Sequence, residues 1–256
     1  MLGMKRLALL FIVLLATQLS CARRSATGAG PAASPSPAEQ AAIDQILQRY
    51  EQALGGRQAI DAVKSYRMKG VFQIVGLKGT IEGWHKQPEM SLLVMNFDGK
   101  GTLKKGFDGQ TRWVQTPAGT FSDSSPQEIA ELERDSEVYS AGNIRGLFDS
   151  LKLENKARLN GRDMYVIEGK PPRGPAEKLF FDVENGLLVR WDMARKQEGR
   201  GTVFVRVHLN DYRDVDGLKV PFNVRFAFES FNFEVQVQEL EHNLAVDDAM
   251  FKKPAQ

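Results

Sequence analysis

The last long apolar stretch of the chain, residues 220–238, constrains the fold more than any other feature. Apolar and polar residues alternate through it in two runs, broken only at Glu229-Ser230. Side chains in a strand point alternately to two faces, so each run predicts a strand with one apolar face. With Glu229-Ser230 as a two-residue loop, the opposed pairs are Phe228 with Phe231, Phe226 with Phe233, and Val224 with Val235. The stretch therefore predicts a long antiparallel hairpin whose apolar face, which also carries Phe222, meets one apolar compartment.

Shorter runs of the same kind fill much of the preceding chain. They predict strands at 66–75, 79–85, 91–97, 103–107, 111–115, 151–159, 164–169, 178–182, 187–193 and 203–212. Turn dipeptides such as Asn160-Gly161, Asn185-Gly186 and Asp216-Gly217 join neighbouring runs closely, which favours antiparallel pairing. The predicted fold is therefore mainly β with some helix (α+β). It is a large curved antiparallel sheet, or half-barrel, of about 11–12 strands covered by a few short helices.

Three segments predict helices. The first begins at Ser36-Pro37 with a capping box completed by Glu39, ends at Gly55-Gly56, and has a stripe of Ile43, Ile46, Leu47, Tyr50 and Leu54. That stripe either packs on the sheet or binds a partner. Two insertions interrupt the strands. One opens at Ser125-Pro126 and carries Ile129 and Leu132, and the other carries Ile144, Leu147, Phe148 and Leu151 at helical spacing.

The N-terminal residues predict an export signal. Lys5 and Arg6 precede ten apolar residues, 7–16, whereas crossing a bilayer takes about 20. Cys21, the only cysteine, follows this run after four residues, the last of which is the small Ser20. It lies where a bacterial lipoprotein is lipidated, although ordinary cleavage after Ala22 is the alternative. The expected organisation is a signal peptide at 1–20, a disordered tether at 21–37 and one domain at 38–256. Lipidation at Cys21 would anchor the domain to a membrane.

Charge and composition exclude several function classes. The formal net charge of +2 comes from the leader, since residues 1–20 contain Lys5 and Arg6 and no acid. A neutral mature domain has no electrostatic attraction for nucleic acid. The histidines, His85, His208 and His242, lack metal-ligand spacing, and no nucleophile elbow or phosphate-binding loop occurs. We therefore expect neither a cofactor nor an enzyme.

Several short sequence motifs resemble those of the bacterial outer-membrane lipoprotein-sorting-like family, which is related to the LolA and LolB lipoprotein carriers. They are Tyr50 to Gly56 with Ala59-Ile60, Phe107-Asp108-Gly109 with Trp113, Phe181-Asp182 with Gly186 to Arg190, Asp211-Tyr212-Arg213 with Asp216-Gly217 and Pro221, and Glu241-His242-Asn243 with Asp247-Asp248, Phe251 and Pro254. The resemblance spans roughly residues 43–254. It implies a half-barrel that encloses an apolar cavity for acyl chains, and Cys21 places the chain nearer to the lipidated LolB or other anchored relatives.

The functional candidates are consequently apolar. The predicted sheet carries more large apolar side chains than a few short helices can cover, and an uncovered apolar concavity suits a lipid. The candidate lining residues are Trp84, Trp113, Phe148, Trp191, Phe222, Val224, Phe226, Phe228, Phe231, Phe233 and Val235. The leading hypothesis is a lipoprotein of the cell envelope that faces the periplasm from the outer membrane and binds a lipid, an acyl chain or an acylated protein. The alternative is an envelope scaffold or complex subunit whose cavity is filled by its own side chains.

Overall fold

The computed structural model describes residues 35–123, 143–172, 174–197 and 201–254. The predicted signal peptide, Cys21, most of the predicted tether and the predicted helix at Ser125 lie outside these ranges. No helix within them has the length and apolarity needed to cross a membrane.

The described strands form one open antiparallel sheet. They are β1 (Ser65–Ile74), β2 (Leu77–Lys86), β3 (Met90–Phe97), β4 (Gly101–Phe107), β5 (Arg112–Gln115), β6 (Phe121–Asp123), β7 (Ser150–Leu153), β8 (Ala157–Leu159), β9 (Arg162–Lys170), β10 (Glu177–Asp182), β11 (Leu188–Gln197), β12 (Gly201–Val215), β13 (Leu218–Ala227) and β14 (Asn232–His242). The order is β6-β5-β4-β3-β2-β1-β14-β13-β12-β11-β10-β9-β7, and β8 pairs with β9. The predicted mainly β fold is confirmed, with a few more strands than expected.

A cross-strand row of apolar residues defines the inner face of this sheet. Successive pairings bring side by side Leu153, Ile167, Leu179, Trp191, Val207, Phe226, Phe233, Ile74 and Leu77. Directly opposed residues share a face, so the row is continuous across nine strands, from β7 through β9–β14 to β1 and β2. We call it the apolar row, and we call the opposite face of the sheet the outer face.

The first helix, α1 (Pro37–Leu54), covers part of the inner face. The Ser36 side chain caps it by accepting a hydrogen bond from the Glu39 N–H at 3.2 Å. The Glu39 carboxylate does not complete the predicted capping box. It accepts instead from the Leu153 N–H at 2.9 Å, which ties the helix to β7. The predicted stripe packs in the core with Ile43, Ile46, Tyr50 and Leu54 buried, so the sheet-packing interpretation is confirmed.

The end of α1 makes a close backbone contact with the sheet. At Gly55, φ is +129°, and a Cβ there would lie 2.1 Å from the carbonyl oxygen of Gly217 in the β12–β13 turn. Glycine is therefore required both for the helix stop and for the approach to the turn. A short helix that the sequence did not predict, α2 (Arg57–Ala62), follows.

The predicted helix at 144–151 is wrong. Only Ile144–Leu147 is helical, and it is a single 3₁₀ turn capped by Asn143. A Cβ on Gly146 would lie 2.2 Å from the Asn143 side chain, so the capped turn requires glycine at this position. The chain is extended at Phe148 and enters β7, pairing with β9. The apolar side chains nevertheless reach the core as expected. The single strand predicted at 151–159 is divided into β7 and β8, both paired with β9.

The C-terminal segment crosses to the outer face of β1–β5. It ends in a 3₁₀ helix, Asp248–Phe251, that lies against β3. The Lys86 ammonium holds the segment by donating to the carbonyl oxygen of Val246 at 3.0 Å and by pairing with the Asp248 carboxylate at 2.5 Å. Phe251 is fully buried as a result.

Candidate functional site

The hairpin that carries most of the candidate residues has the predicted register. Val224 pairs with Val235 and Phe226 pairs with Phe233. The Phe228 N–H donates to the Phe231 carbonyl at 2.9 Å and closes the turn. The rings stack across the hairpin, with centroids 5.5 Å apart for Phe226 and Phe233 and 4.4 Å apart for Phe228 and Phe231. The result is a short ladder of four phenylalanines on the inner face.

Around Trp191, in the middle of the apolar row, the inner face is tightly filled. Trp191 is 1% exposed and lies beside Phe148, with ring centroids 6.1 Å apart. Phe148 in turn covers Gly169, where a Cβ would lie 2.4 Å from its ring. The α1 residue Tyr50 packs edge-on against Phe181 at 5.3 Å. Trp191 and Phe148 are therefore core residues of this half.

Tyr50, which is buried, and Tyr212, which is partly buried, add a polar contact to this packing without adding charge. Burial raises the pKa of Tyr50 and of Tyr212 above the ordinary tyrosine value. The Tyr212 hydroxyl donates to the carbonyl oxygen of Leu188 at 2.8 Å. Both phenols thus stay neutral at any physiological pH, and they fasten α1 to β11 and β12.

Burial decreases along the row towards the hairpin turn. Ile167, Leu179, Trp191 and Val207 are at most 1% exposed, whereas Phe226 and Phe233 are only partly buried. Phe228 and Phe231, at the turn itself, are also partly buried. Beside them lies a second cluster made of strand residues alone among the described residues: Phe72, Ile81, Met95, Phe97, Leu103, Phe222, Val235 and Val237. The phenylalanine ladder is therefore one part of the inner face that described side chains leave partly accessible, as are Ile74 and Leu77 beside it.

Two of the candidate tryptophans lie on the outer face. Trp113 and Trp84 belong to one cross-strand row that also contains Arg67, Leu92 and Gly106. The Trp113 ring lies over Gly106, and its N–H donates to the carbonyl oxygen of Phe251 at 2.8 Å. The Arg67 guanidinium lies 5.3 Å from the Trp84 ring centre. These contacts explain both side chains as structural, so they take no part in the site proposed below.

Two carboxylates, Glu177 and Asp182, are buried although the sequence did not predict it. Glu177 is 1% exposed and accepts a hydrogen bond from the Trp191 N–H at 2.8 Å. Asp182, also 1% exposed, accepts from the N–H groups of Glu184 and Asn185 and pairs with Arg162 at 2.8 Å. Asp182 organises the β10–β11 turn. An acid that begins or ends a strand gives no local signal of burial, so only the tertiary contacts identify them.

The titratable groups suggest no reaction centre in the described part of the chain. No group of three or more His, Cys, Asp or Glu side chains there could hold a metal ion. Burial lowers the pKa of His85. The pKa of His208 is lowered first by burial and then by Arg225 and Arg190. Both imidazoles are therefore neutral at pH 7, and they lie on opposite faces of the sheet.

Comparison with known proteins supports the fold and does not bear on the function. The sequence matches no protein-family model, and no curated protein matches it. Among solved structures, a DUF1329 family protein from Desulfovibrio piger is similar, with a TM-score of 0.58 and 16% identity over 82% of this chain and 97% of its own.

Two further solved structures have the same architecture. A LolA superfamily protein from Nitrosomonas europaea has a TM-score of 0.57 and 12% identity, covering 82% of this chain and 97% of its own. An outer membrane lipoprotein-sorting protein domain from Vibrio parahaemolyticus has a TM-score of 0.52 and 10% identity, covering 81% and 96%. The LolA-like fold inferred from the sequence is confirmed, and at this level of identity the likeness concerns the fold alone.

Proposed function

We propose that the chain is a cell-envelope lipoprotein that binds a lipid, an acyl chain or an acylated protein on the inner face of its sheet. The observation that carries the proposal is the phenylalanine ladder, which leaves four aromatic side chains partly accessible beside the closely packed part of a continuous apolar row. The LolA-like fold supports it. The ligand site consists of Phe226, Phe228, Phe231 and Phe233, bordered by the buried Phe222, Val224 and Val235.

The energetics require no charged group in the site. Burying a methylene contributes about 0.8 kcal/mol, so a dozen of them contribute roughly 10 kcal/mol before the costs of association. The cost of association, about 4 kcal/mol or more, leaves at most about 6 kcal/mol of this, so a dozen methylenes give tens of micromolar at best and about 16 are needed for micromolar affinity. The ligand class is therefore set by chain length more than by the head group.

Titration with a fluorescent fatty acid tests the site. The chain from residue 22 onward, which includes every described residue, should bind the probe saturably and release it to unlabelled fatty acid. Phe228→Ser should weaken binding roughly tenfold, because half of a phenyl group's burial is lost. Val71→Ser, which changes an exposed valine on the outer face, is the matched control and should bind as the parent does. Probe fluorescence that never saturates would contradict the proposal.

A scaffold with a self-filled cavity is the second candidate. The observation that favours it is the dense packing around Trp191, where α1 and the Ile144–Leu147 segment leave the tryptophan 1% exposed. If the ladder were equally closed in solution, the fatty-acid probe would find no site. The same titration therefore separates the two functions.

The membrane anchor is a separate prediction. Cys21→Ala should move the protein from the membrane pellet to the soluble fraction, because several acyl chains hold a protein firmly at a membrane and an alanine can carry none. Ser25→Ala, in the same predicted tether, is the control and should stay in the pellet. Fractionation followed by a folding assay on the released protein makes the measurement. A Cys21→Ala protein that stays in the pellet as fully as the parent would show that the cysteine is not the anchor.

A further inference from the structure

The first residues of β12 have a neighbouring strand on one side only. β12 pairs with β11 from its first residue, but it pairs with β13 only from Arg206 onward, where the partner is Ala227. After Ala227 the chain turns back into β14. Residues 201–204 therefore have no strand of the described chain beside them on the β13 side, and we call them the free edge.

Four backbone groups of the free edge point away from β11. The Phe228 N–H donates across the β13–β14 turn, so the backbone of Phe228 faces β14 and that of Ala227 faces β12. Arg206, which is paired with Ala227, therefore directs its own N–H and C=O towards β13. The direction alternates along a strand, so Phe204 and Thr202 direct theirs to the same side. No described residue binds these two N–H and two C=O groups.

The free edge lacks the protection that sheet edges usually have. Short strands, charged side chains and covering elements keep other chains from pairing with an edge. The strands at the two ends of the described sheet have such protection: β6 is three residues long and contains Asp123, and the Leu153 N–H of β7 is bound by the Glu39 carboxylate. The free edge reads Gly-Thr-Val-Phe, without a charge or a proline, and Phe204 is 59% exposed. An uncharged edge with unpaired backbone groups is suited to the addition of a strand.

We propose that the free edge binds, by strand addition, the extended peptide segment next to the acyl group of an acylated protein. The inference rests on the proposed function, because the acyl chain would occupy the phenylalanine ladder. The two sites are continuous. Val205 immediately precedes the residue paired with Ala227, so it lies beside Phe228, and Val203 lies about 7 Å further along the same inner face. A peptide residue opposite Val203 would therefore stand next to the ladder.

The exposed phenylalanine would contact the outer face of such a peptide. Phe204 stands opposite Ala194 of β11 and has no described strand on its other side. Directly opposed side chains on one face of a sheet touch each other, and aromatic residues pair well with β-branched ones. An added strand with an apolar or β-branched residue at this position would cover the phenyl ring, whereas a charged residue would be disfavoured.

A second copy of this chain is the rival occupant of the free edge. Two four-residue edges paired with each other would bury far less than the roughly 800 Å² per partner of a stable protein interface. The few backbone hydrogen bonds add little, because each replaces a hydrogen bond to water. An acylated peptide makes the same hydrogen bonds and also buries its acyl chain, so it depends less on the edge alone. The edge therefore favours an acylated partner over a dimer.

A dansyl-labelled lipopeptide tests the inference on the chain from residue 22 onward. All described strand pairs and all three apolar clusters lie within residues 37–251, so this chain keeps the folded core. The probe is a palmitoylated hexapeptide of alternating serine and valine, with the dansyl group at its C-terminal end. It should bind about tenfold more tightly than its fully N-methylated counterpart, which carries the same acyl chain but cannot donate a backbone hydrogen bond.

A matched pair of variants places the effect at the free edge. Thr202→Pro removes one of the outward N–H groups and should weaken binding of the lipopeptide about tenfold, while the N-methylated lipopeptide binds as before. Proline is accepted on a strand edge whose N–H faces solvent, and the Thr202 N–H makes no bond to β11, so the variant should melt close to the parent. Thr202→Val keeps the N–H and should bind the lipopeptide as the parent does.

Two results would overturn the inference. One is equal affinity of the parent for the lipopeptide and for its N-methylated counterpart. This comparison uses the parent protein alone, so it stays decisive even if Thr202→Pro melts lower. The other is a parent that sediments as a dimer while Thr202→Pro sediments as a monomer, since the free edge would then join two copies of the chain.

Failure of the inference and failure of the proposed function give different results. If the fluorescent fatty acid binds saturably but the two lipopeptides bind equally well, the ladder holds acyl chains and the inference about the free edge is wrong. If the fatty acid never saturates while Thr202→Pro still weakens binding of the lipopeptide, the free edge binds peptides and the proposed function alone is wrong.

Discussion

Replacing Trp191 by alanine is expected to lower the free energy of unfolding by about 3–5 kcal/mol, as large-to-small changes at buried aromatic residues do. Trp191 is 1% exposed between Leu179 and Val207 in the middle of the apolar row, and its N–H binds Glu177. The change leaves a cavity where neighbouring strands are held in register and cannot collapse. Such a loss is a large share of the 5–15 kcal/mol that stabilises a typical domain. Urea denaturation followed by circular dichroism measures it.

Trp191→Phe is the matched control. It keeps an aromatic ring against Phe148 but removes the N–H donor to Glu177, and it should cost about 1–2 kcal/mol. If both variants were destabilised equally, the hydrogen bond to Glu177 would outweigh the packing. If neither were destabilised by more than about 1 kcal/mol, the row could not be a closely packed core at this point.

Phe226→Asp is expected to prevent folding. Phe226 stands opposite Val207, which is 1% exposed, and stacks on Phe233. An aspartate there places a carboxylate on the apolar row with no cation opposite to pair with it, and burying such a charge costs several kcal/mol. The protein should be insoluble or lack a cooperative melting transition.

Ala227→Asp tests the same chemistry one residue away. Residue 227 points to the outer face, where it stands opposite Arg206, and an exposed carboxylate beside an arginine should change the stability by less than about 1 kcal/mol. A Phe226→Asp protein that is soluble and melts cooperatively would show that the inner face is open to solvent at the hairpin. That result would favour the ladder as a solvated surface rather than a lipid-binding site.

The contrast between positions 226 and 227 shows why the hairpin was predictable. Side-chain direction in a strand alternates residue by residue, so the pattern of Phe226, Phe228, Phe231 and Phe233 contains the assignment of faces. The loop length sets the register, and Glu229-Ser230 left no other pairing that kept the apolar residues together. The paired turns at Asn160-Gly161 and Asp216-Gly217 were equally readable, because positive φ restricts the residue types that fit.

Prediction from local spacing failed at residues 144–151, because a helix and a turn followed by a strand can show the same spacing of apolar residues. Ile144, Leu147, Phe148 and Leu151 have helical spacing, yet only the first two belong to a helical turn, and the backbone is already extended at Phe148. Pairing of β7 with β9 then stabilises the extended backbone from Ser150 onward. Spacing alone does not distinguish a helix from a turn followed by a strand when all four side chains are buried in either case.

Some features of the candidate site follow from local sequence, and others follow only from the tertiary structure. Alternation and turn chemistry, which act over a few residues, determined the strands, the one-sided hairpin, the apolar stripe of α1 and the mainly β fold.

The tertiary structure decided which side chains became accessible and which became core, because the covering elements come from distant parts of the chain. The sequence predicted Trp113 as a cavity residue, but it lies on the outer face, where its N–H binds the carbonyl oxygen of Phe251, 138 residues later in the chain. Trp191 is buried by α1 and the segment at Phe148, whereas the phenylalanine ladder stays partly accessible. Burial depends on what lies opposite a side chain, and that depends on long-range packing which no local period encodes.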